Sequence, residues 1–202
     1  MAENEQLLIS LTGDKGGVGK STIAFLLAEW IIAKGRAVRL IDADPNQTVQ
    51  TCVDKCAEAG YTMSTPGADI VIVDTAGTSG SSLNRYIRES RIIVVPFQPH
   101  VADLETVIGW FESLNPRLQD RVRFVPNRLA HTKEQREGIA ELEKVIEEEG
   151  RGRLVPGLSN RPAVYPPLFN ARKENFFSIK HDGKAEAELR KMFNSLLTGL
   201  RI

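Results

Sequence analysis

Apolar and polar positions alternate in blocks along this chain. Short apolar runs, Leu7-Leu8-Ile9-Ser10-Leu11, Ala37 to Ile41, Asp69 to Asp74, Ile92 to Pro96, Val122 to Pro126 and Arg153 to Pro156, read as strands. The run over 69–74 is continuously apolar between two acids, as expected of a central parallel strand covered on both faces. Between these runs lie helical stretches. Ile23 to Lys34 is apolar nearly all round and closes at Gly35, which predicts a buried helix. Further helices are expected over about 47–59, up to Ser90, over 102–114 and over 133–149. In the last of these Ile139, Leu142, Val145 and Ile146 form a stripe and Glu147-Glu148-Glu149 a solvated end. The stretch 157–178 reads as loop. A closing helix over 184–200 carries Leu189, Met192, Phe193, Leu196, Leu197 and Leu200 on one side. Strands alternating with helices imply a single-domain α/β fold: a doubly wound, mainly parallel sheet with helices on both faces and ligands at the carboxyl ends of the strands.

Length and composition fit that reading. The 202 residues suffice for one sizeable domain and are too few for two ordinary ones. Apolar residues make up 42% and charged residues 26%, with 26 basic against 26 acidic side chains, so any nucleic-acid contact must come from a local patch. No apolar run is long enough to span a membrane, and the acidic start Met1-Ala-Glu-Asn-Glu is unlike a signal peptide. A cytoplasmic location is expected. Cys52 and Cys56 would share a helix face, but no His or further Cys stands near them at ligand spacing, so they read as ordinary helix residues.

The chemistry gathers where the first strand meets the first helix, at Gly13-Asp14-Lys15-Gly16-Gly17-Val18-Gly19-Lys20-Ser21-Thr22. Strand, glycine loop and helix in this order are the context of a phosphate-binding loop. The glycines let consecutive N–H groups converge, and the helix adds its positive end. Lys20 can reach a terminal phosphate and the Ser21 hydroxyl can ligate Mg²⁺, so the expected ligands are ATP and Mg²⁺. Asp42, Asp44 and Asp74 close two other predicted strands and would reach the same rim; Asp74 would hold the metal directly or through water. A lone strand-end Asp is as often a helix cap. Three of them beside this loop are not independent accidents.

Asp14 stands where the usual P-loop has its first glycine, and Lys15 adds a lysine five residues before the usual one. This Lys15-Gly-Gly-Val-Gly-Lys20-Ser sequence resembles the deviant Walker A signature of the ParA/MinD family of P-loop ATPases. The likeness covers about residues 7–179, closest to the small ParA-type partition and cargo-positioning ATPases. It implies a nucleotide sandwich homodimer in which Lys15 reaches the nucleotide of the partner subunit, with slow, partner-stimulated hydrolysis. It implies catalytic roles for Lys15, Lys20 and Asp44, with Asp44 positioning the attacking water. Gly16, Gly17, Val18, Gly19, Ser21 and Thr22 would bind nucleotide, with Ser21, Asp42 and Asp74 around the metal. Val125-Pro126-Asn127-Arg128 looks like the family's strand-end motif, where Asn127 contacts the adenine edge, and Pro156-Gly157 like the loop that packs on the base. Asp74-Thr-Ala-Gly departs from the commoner second switch motif, which bears on the switch rather than on the metal role. The segment between Asp44 and Asp69 is short for the family.

By the same resemblance the ATP-bound dimer would bind DNA without sequence preference and associate with the nucleoid. Arg161, Arg172 and Lys173 are placed on that surface ahead of a second cluster, Arg117, Arg121 and Arg123. No helix-turn-helix precedes the first strand, so specific recognition is expected of a separate ParB-like or small centromere-binding activator protein. The cargo, whether plasmid, chromosome, carboxysome or chemotaxis cluster, is not written in the chain. Two alternatives stay open. A MinD-like membrane function would need a basic-flanked amphipathic terminal helix, and the closing helix has only Arg190, Lys191 and Arg201. A dethiobiotin-synthetase-like ligase of the same fold would lack the signature lysine.

Overall fold

Six strands, β1 (Leu7–Leu11), β2 (Val38–Ala43), β3 (Ile70–Thr75), β4 (Ile92–Phe97), β5 (Val122–Pro126) and β6 (Arg153–Leu154), form one all-parallel sheet in the order β2-β3-β1-β4-β5-β6. The computed structural model describes residues 6–13, 15–76, 81–170, 172–180, 182–200 and 202. Asp14, positions 77–80 of the loop after Asp74, and Arg201 lie outside the described residues. Because parallel neighbours require crossovers, helices cover both faces. They are α1 (Lys20–Ala33), α2 (Thr48–Glu58), α3 (Ser81–Glu89), α4 (Val101–Ser113), α5 (Pro116–Gln119), α6 (Lys133–Glu149) and α7 (Gly183–Leu196).

Alternation along each strand divides the core. Ile9 and Leu11 of β1 pack with α1, α2 and α7, while Ile93 and Val95 of β4 pack with α4, Phe124 of β5 and Leu142 of α6. Helix α1 is buried on nearly all sides, as its composition requires. On α7, Leu189, Met192, Phe193 and Leu196 are buried in the α1 core, so its apolar stripe faces protein. No helix among the described residues is long and apolar enough to cross a membrane.

The boundaries differ from the sequence reading at a few ends. Strand β2 continues through Asp42 and Ala43 because β3 pairs with it as far as Asp42↔Asp74 and Ala43↔Thr75. The short α5 is an addition. Asn115 caps it by accepting from Leu118 N–H and Pro116 takes its first position, a signal too short to show as periodicity. Helix α7 stops at Leu196, four residues early. The stretch 157–178 contains two 3₁₀ turns, Pro166–Phe169 and Phe176–Ser178. β1 lies centrally: its chain leaves toward β2, while that of its neighbour β4 leaves toward β5. Connections diverging in this way open a crevice at the carboxyl end of the sheet.

Candidate nucleotide site

At that end, the loop after β1 wraps the N-terminus of α1. Gly19 stands before the helix at φ 102°, and a Cβ there would fall 2.3 Å from Asn127 Nδ2. Only glycine accepts both constraints. Lys20 is almost wholly buried; its ammonium donates to the Lys15 carbonyl at 2.8 Å and the Gly13 carbonyl at 3.3 Å, and so curls back inside the loop. Lys15 lies on the outer side, with 42% of its side chain exposed, and its ammonium is paired with Asp103 of α4.

Asp74 is fully buried at the end of β3, and neither of its carboxylate oxygens has a full hydrogen-bond partner among the described residues. Burial pushes its carboxyl up to about 7; the Ser21 hydroxyl leaning toward it and the Lys20 charge oppose the rise, and Asp42 and Asp44 add to it. Asp42 lies beside Asp74 in register, yet its two oxygens accept from Asp44 N–H at 3.0 Å and Gln50 N–H at 2.9 Å. It therefore ties the Asp44 loop to the first turn of α2. Asp44 lines the cavity that also contains Gly16, Lys20 and Ser21, and one of its oxygens accepts from Asn46 N–H at 2.9 Å. No three acidic, His or Cys side chains among the described residues converge as a self-sufficient metal cage. An orphaned carboxylate next to a hydroxyl is instead what Mg²⁺ uses when phosphates supply its other ligands.

The crevice has two compartments. A cavity of about 560 Å³ holds the glycine loop and Asp44; one of about 740 Å³ runs between Gly19, Asn127, Ser159 and Tyr165. Thr22, Arg128 and Phe169 border both. Together they offer a phosphate end and a larger, less polar end of nucleoside size.

Several expected contacts fall differently. Asn127 lines the larger cavity, but its Nδ2 donates to the Val18 carbonyl at 2.7 Å and its Oδ1 accepts from Arg128 N–H at 2.9 Å. Its amide thereby clamps the glycine loop to β5 from the wall of the cavity. Arg128 follows in the left-handed region at φ 55°. Pro156 does not line the cavity; the wall is built by Leu158 to Pro162, brought in because Gly157 sits where a Cβ would lie 2.5 Å from the Pro126 carbonyl. Sequence reading missed Glu188, which accepts from Ser159 N–H at 3.1 Å and Ser159 Oγ at 2.9 Å and so fixes that wall from α7. A charged position on the flank of an amphipathic helix gives no hint of this.

The basic group placed on a DNA surface is not one surface. Arg172 turns inward, 2.7 Å from the buried Glu29 of α1 and over the Phe25 and Phe176 rings. Arg161 pairs with Glu188 at 2.7 Å and Asp182 at 3.0 Å. Burial and carboxylate neutralisation remove both from an open patch, and Lys173 alone of the three is exposed. Cys52 and Cys56 are free, buried thiols on α2, as expected of ordinary helix residues.

Residues 9–165 match the family model described as the CobQ/CobB/MinD/ParA nucleotide binding domain. The chain belongs to that family. It thus has the ParA/MinD-type P-loop ATPase fold around a nucleotide-binding site. It is 26% identical over 112 residues, 48% of this chain, to Protein ParA of Rhizobium radiobacter, and the match spans half the length of that relative. Its fold is similar to a putative plasmid partition protein of Borrelia burgdorferi B31 bound to AMPPNP, with a TM-score of 0.71 and 13% identity over 96% of this chain and all of that one. Apo McdA of Cyanthece follows at 0.69 and 16%, covering 95% and 98% of the two chains, and a chain of the Aquifex aeolicus MinC:MinD cell division protein complex at 0.67 and 16%, covering 97% of each.

Proposed function

We propose that this chain is an ATP-fuelled partition or positioning switch. Mg-ATP binding drives a sandwich homodimer that holds DNA without sequence preference, and hydrolysis, accelerated by a ParB-like or small centromere-binding partner, dissolves it. The observation that carries this reading is the division of labour between two lysines on one loop. Lys20 is turned inward on the loop's own carbonyls, which supports service to its own subunit's phosphates; Lys15 lies on the outer side, part-exposed and paired with Asp103, which supports service to a neighbour once that pair opens.

Hydrolysis in such a site is a matter of positioning and charge. Ser21 and Asp74 would hold Mg²⁺, which supplies charge neutralisation on the phosphate oxygens. The loop N–H groups and Lys20 bind the terminal phosphates, and Asp44 orients water for attack on the terminal phosphorus. Asp42 holds the Asp44 loop in place. The two Lys15 side chains complete each other's pocket, so turnover needs two subunits. Partition-type names among the similar proteins support the cargo role.

The test compares Lys15→Ala with Lys20→Ala by nucleotide binding, gel filtration and phosphate release. Lys20→Ala should lose ATP binding. Lys15→Ala should keep it yet stay monomeric and inactive. Wild-type turnover in Lys15→Ala would overturn the shared-site reading.

A further inference from the structure

At the end of the sheet opposite the nucleotide, a cleft of about 210 Å³ opens between Arg91, Asp120, Arg121 and Arg123 and the turn Thr198–Leu200 after α7. Arg153 lies beside Arg123 in register across β5 and β6. Arg121 donates Nη1 to the carbonyls of Arg88 and Ser90 at 3.1 and 3.0 Å, and Arg123 donates Nη1 to those of Asp120 and Val122 at 3.0 and 2.8 Å. Main-chain acceptors fix the direction of these guanidinium groups without cancelling their charge. Among the described residues no carboxylate lies within ion-pair distance of Arg91, Arg121, Arg123 or Arg153, and Asp120 is 3.6 Å from Arg151 instead. Burial and the like charge of Arg153 lower the Arg123 pKa, and the more distant Asp120 carboxylate on the cleft wall only partly opposes them.

We propose that this arginine cleft is the surface that takes the DNA phosphate backbone. The inference rests on the DNA-binding part of the function proposed above and gives it a site. Rigid guanidinium forks match phosphate oxygens, and four within one end of a sheet make a local field that the chain's zero net charge conceals. Among the described residues no aromatic side chain lines the cleft, which favours contacts to the backbone over base stacking, the chemistry of recognition without sequence preference. Arg161 and Arg172 are already neutralised by carboxylates and cannot do this work in the same conformation.

Arg91 and Arg153 are exposed and sit at the end of the sheet opposite the nucleotide site, so Arg91→Glu/Arg153→Glu tests the cleft without disturbing the half-buried anchors Arg121 and Arg123. Binding of a mixed-sequence duplex is measured with ATP over a salt series, alongside partner-free ATP turnover. The double variant should bind about tenfold or more weakly, with the log–log salt slope reduced by about one for each phosphate no longer neutralised, while turnover is unchanged. Arg91→Gln/Arg153→Gln, which removes charge without reversing it, should show the same reduction in slope. Wild-type affinity and slope in both variants would overturn the cleft and leave the DNA-binding reading standing. A wild-type protein that binds no duplex with ATP would sink that reading and the cleft with it.

Discussion

Lys15 is paired within its own subunit by Asp103, whose carboxylate is mostly buried on α4. Any service to a neighbour requires that pair to open. Half-exposed ion pairs contribute up to about 1 kcal/mol, which corresponds to a several-fold change in an equilibrium. Asp103→Asn should therefore lower the ATP concentration needed for dimerisation by a few-fold, measured by sedimentation velocity. An unchanged or raised requirement would show that Asp103 does not restrain the lysine. The loop itself was legible from its spacing, because Gly19, Lys20 and Ser21 act through local backbone geometry. Asn127 was legible as a site residue, but its clamp on the glycine loop was not. Its acceptor, the Val18 carbonyl, is 109 positions away in the chain, and only the sheet order brings them together.

At the level of elements, α1 carries Glu29, beyond the Lys20 at its start, into an apolar core. Burial pushes Glu29 up to about 7, against the opposing charge and hydrogen bond of Arg172 and the Phe176 N–H. The unfolded chain loses this proton near pH 4.5, so over about pH 4.5–7 the folded state binds more protons than the unfolded one. The Glu29 contribution to stability thus falls as pH rises through that window. Arg172→Ala leaves the carboxylate without its counter-charge, a loss of about 3–5 kcal/mol when a buried pair is broken. The destabilisation should be full at pH 8 and much smaller at pH 5.5, where Glu29 is neutral. Thermal melts at the two pH values decide it, and equal losses would mean that Arg172 acts by packing alone. Periodicity announced α1 as buried, and β5 and α6 matched to the residue. It could not announce Glu29 with Arg172, since a single charge in an apolar helix finds its partner through loop placement 143 residues later.

The whole molecule has two chemically unlike ends. Carboxylates and the glycine loop occupy one, uncancelled arginines the other. A dimer closed through the nucleotide end would leave its two arginine clefts facing apart. Such a dimer should join two duplexes rather than grip one twice. Retention of a fluorescent duplex on beads carrying a second duplex should need both ATP and Lys15. Equal retention without ATP would exclude this geometry. The doubly wound architecture was readable from the alternation of blocks; the polarity between the ends was not, because scattered arginines become neighbours only through strand register.

The central place of β1 also sets the order in which the protein can acquire its activity. Its two sheet neighbours are β3 and β4, and every strand pairing crosses a long stretch of chain. Such long-range pairings form slowly, and no local hairpin can stand in for them. A nascent chain that has emerged only through the glycine motif therefore holds the residues for gripping phosphate but not the support that shapes them. Fuel recognition should wait until Asn127, which clamps the loop, and the cavity wall through Tyr165 have also left the ribosome.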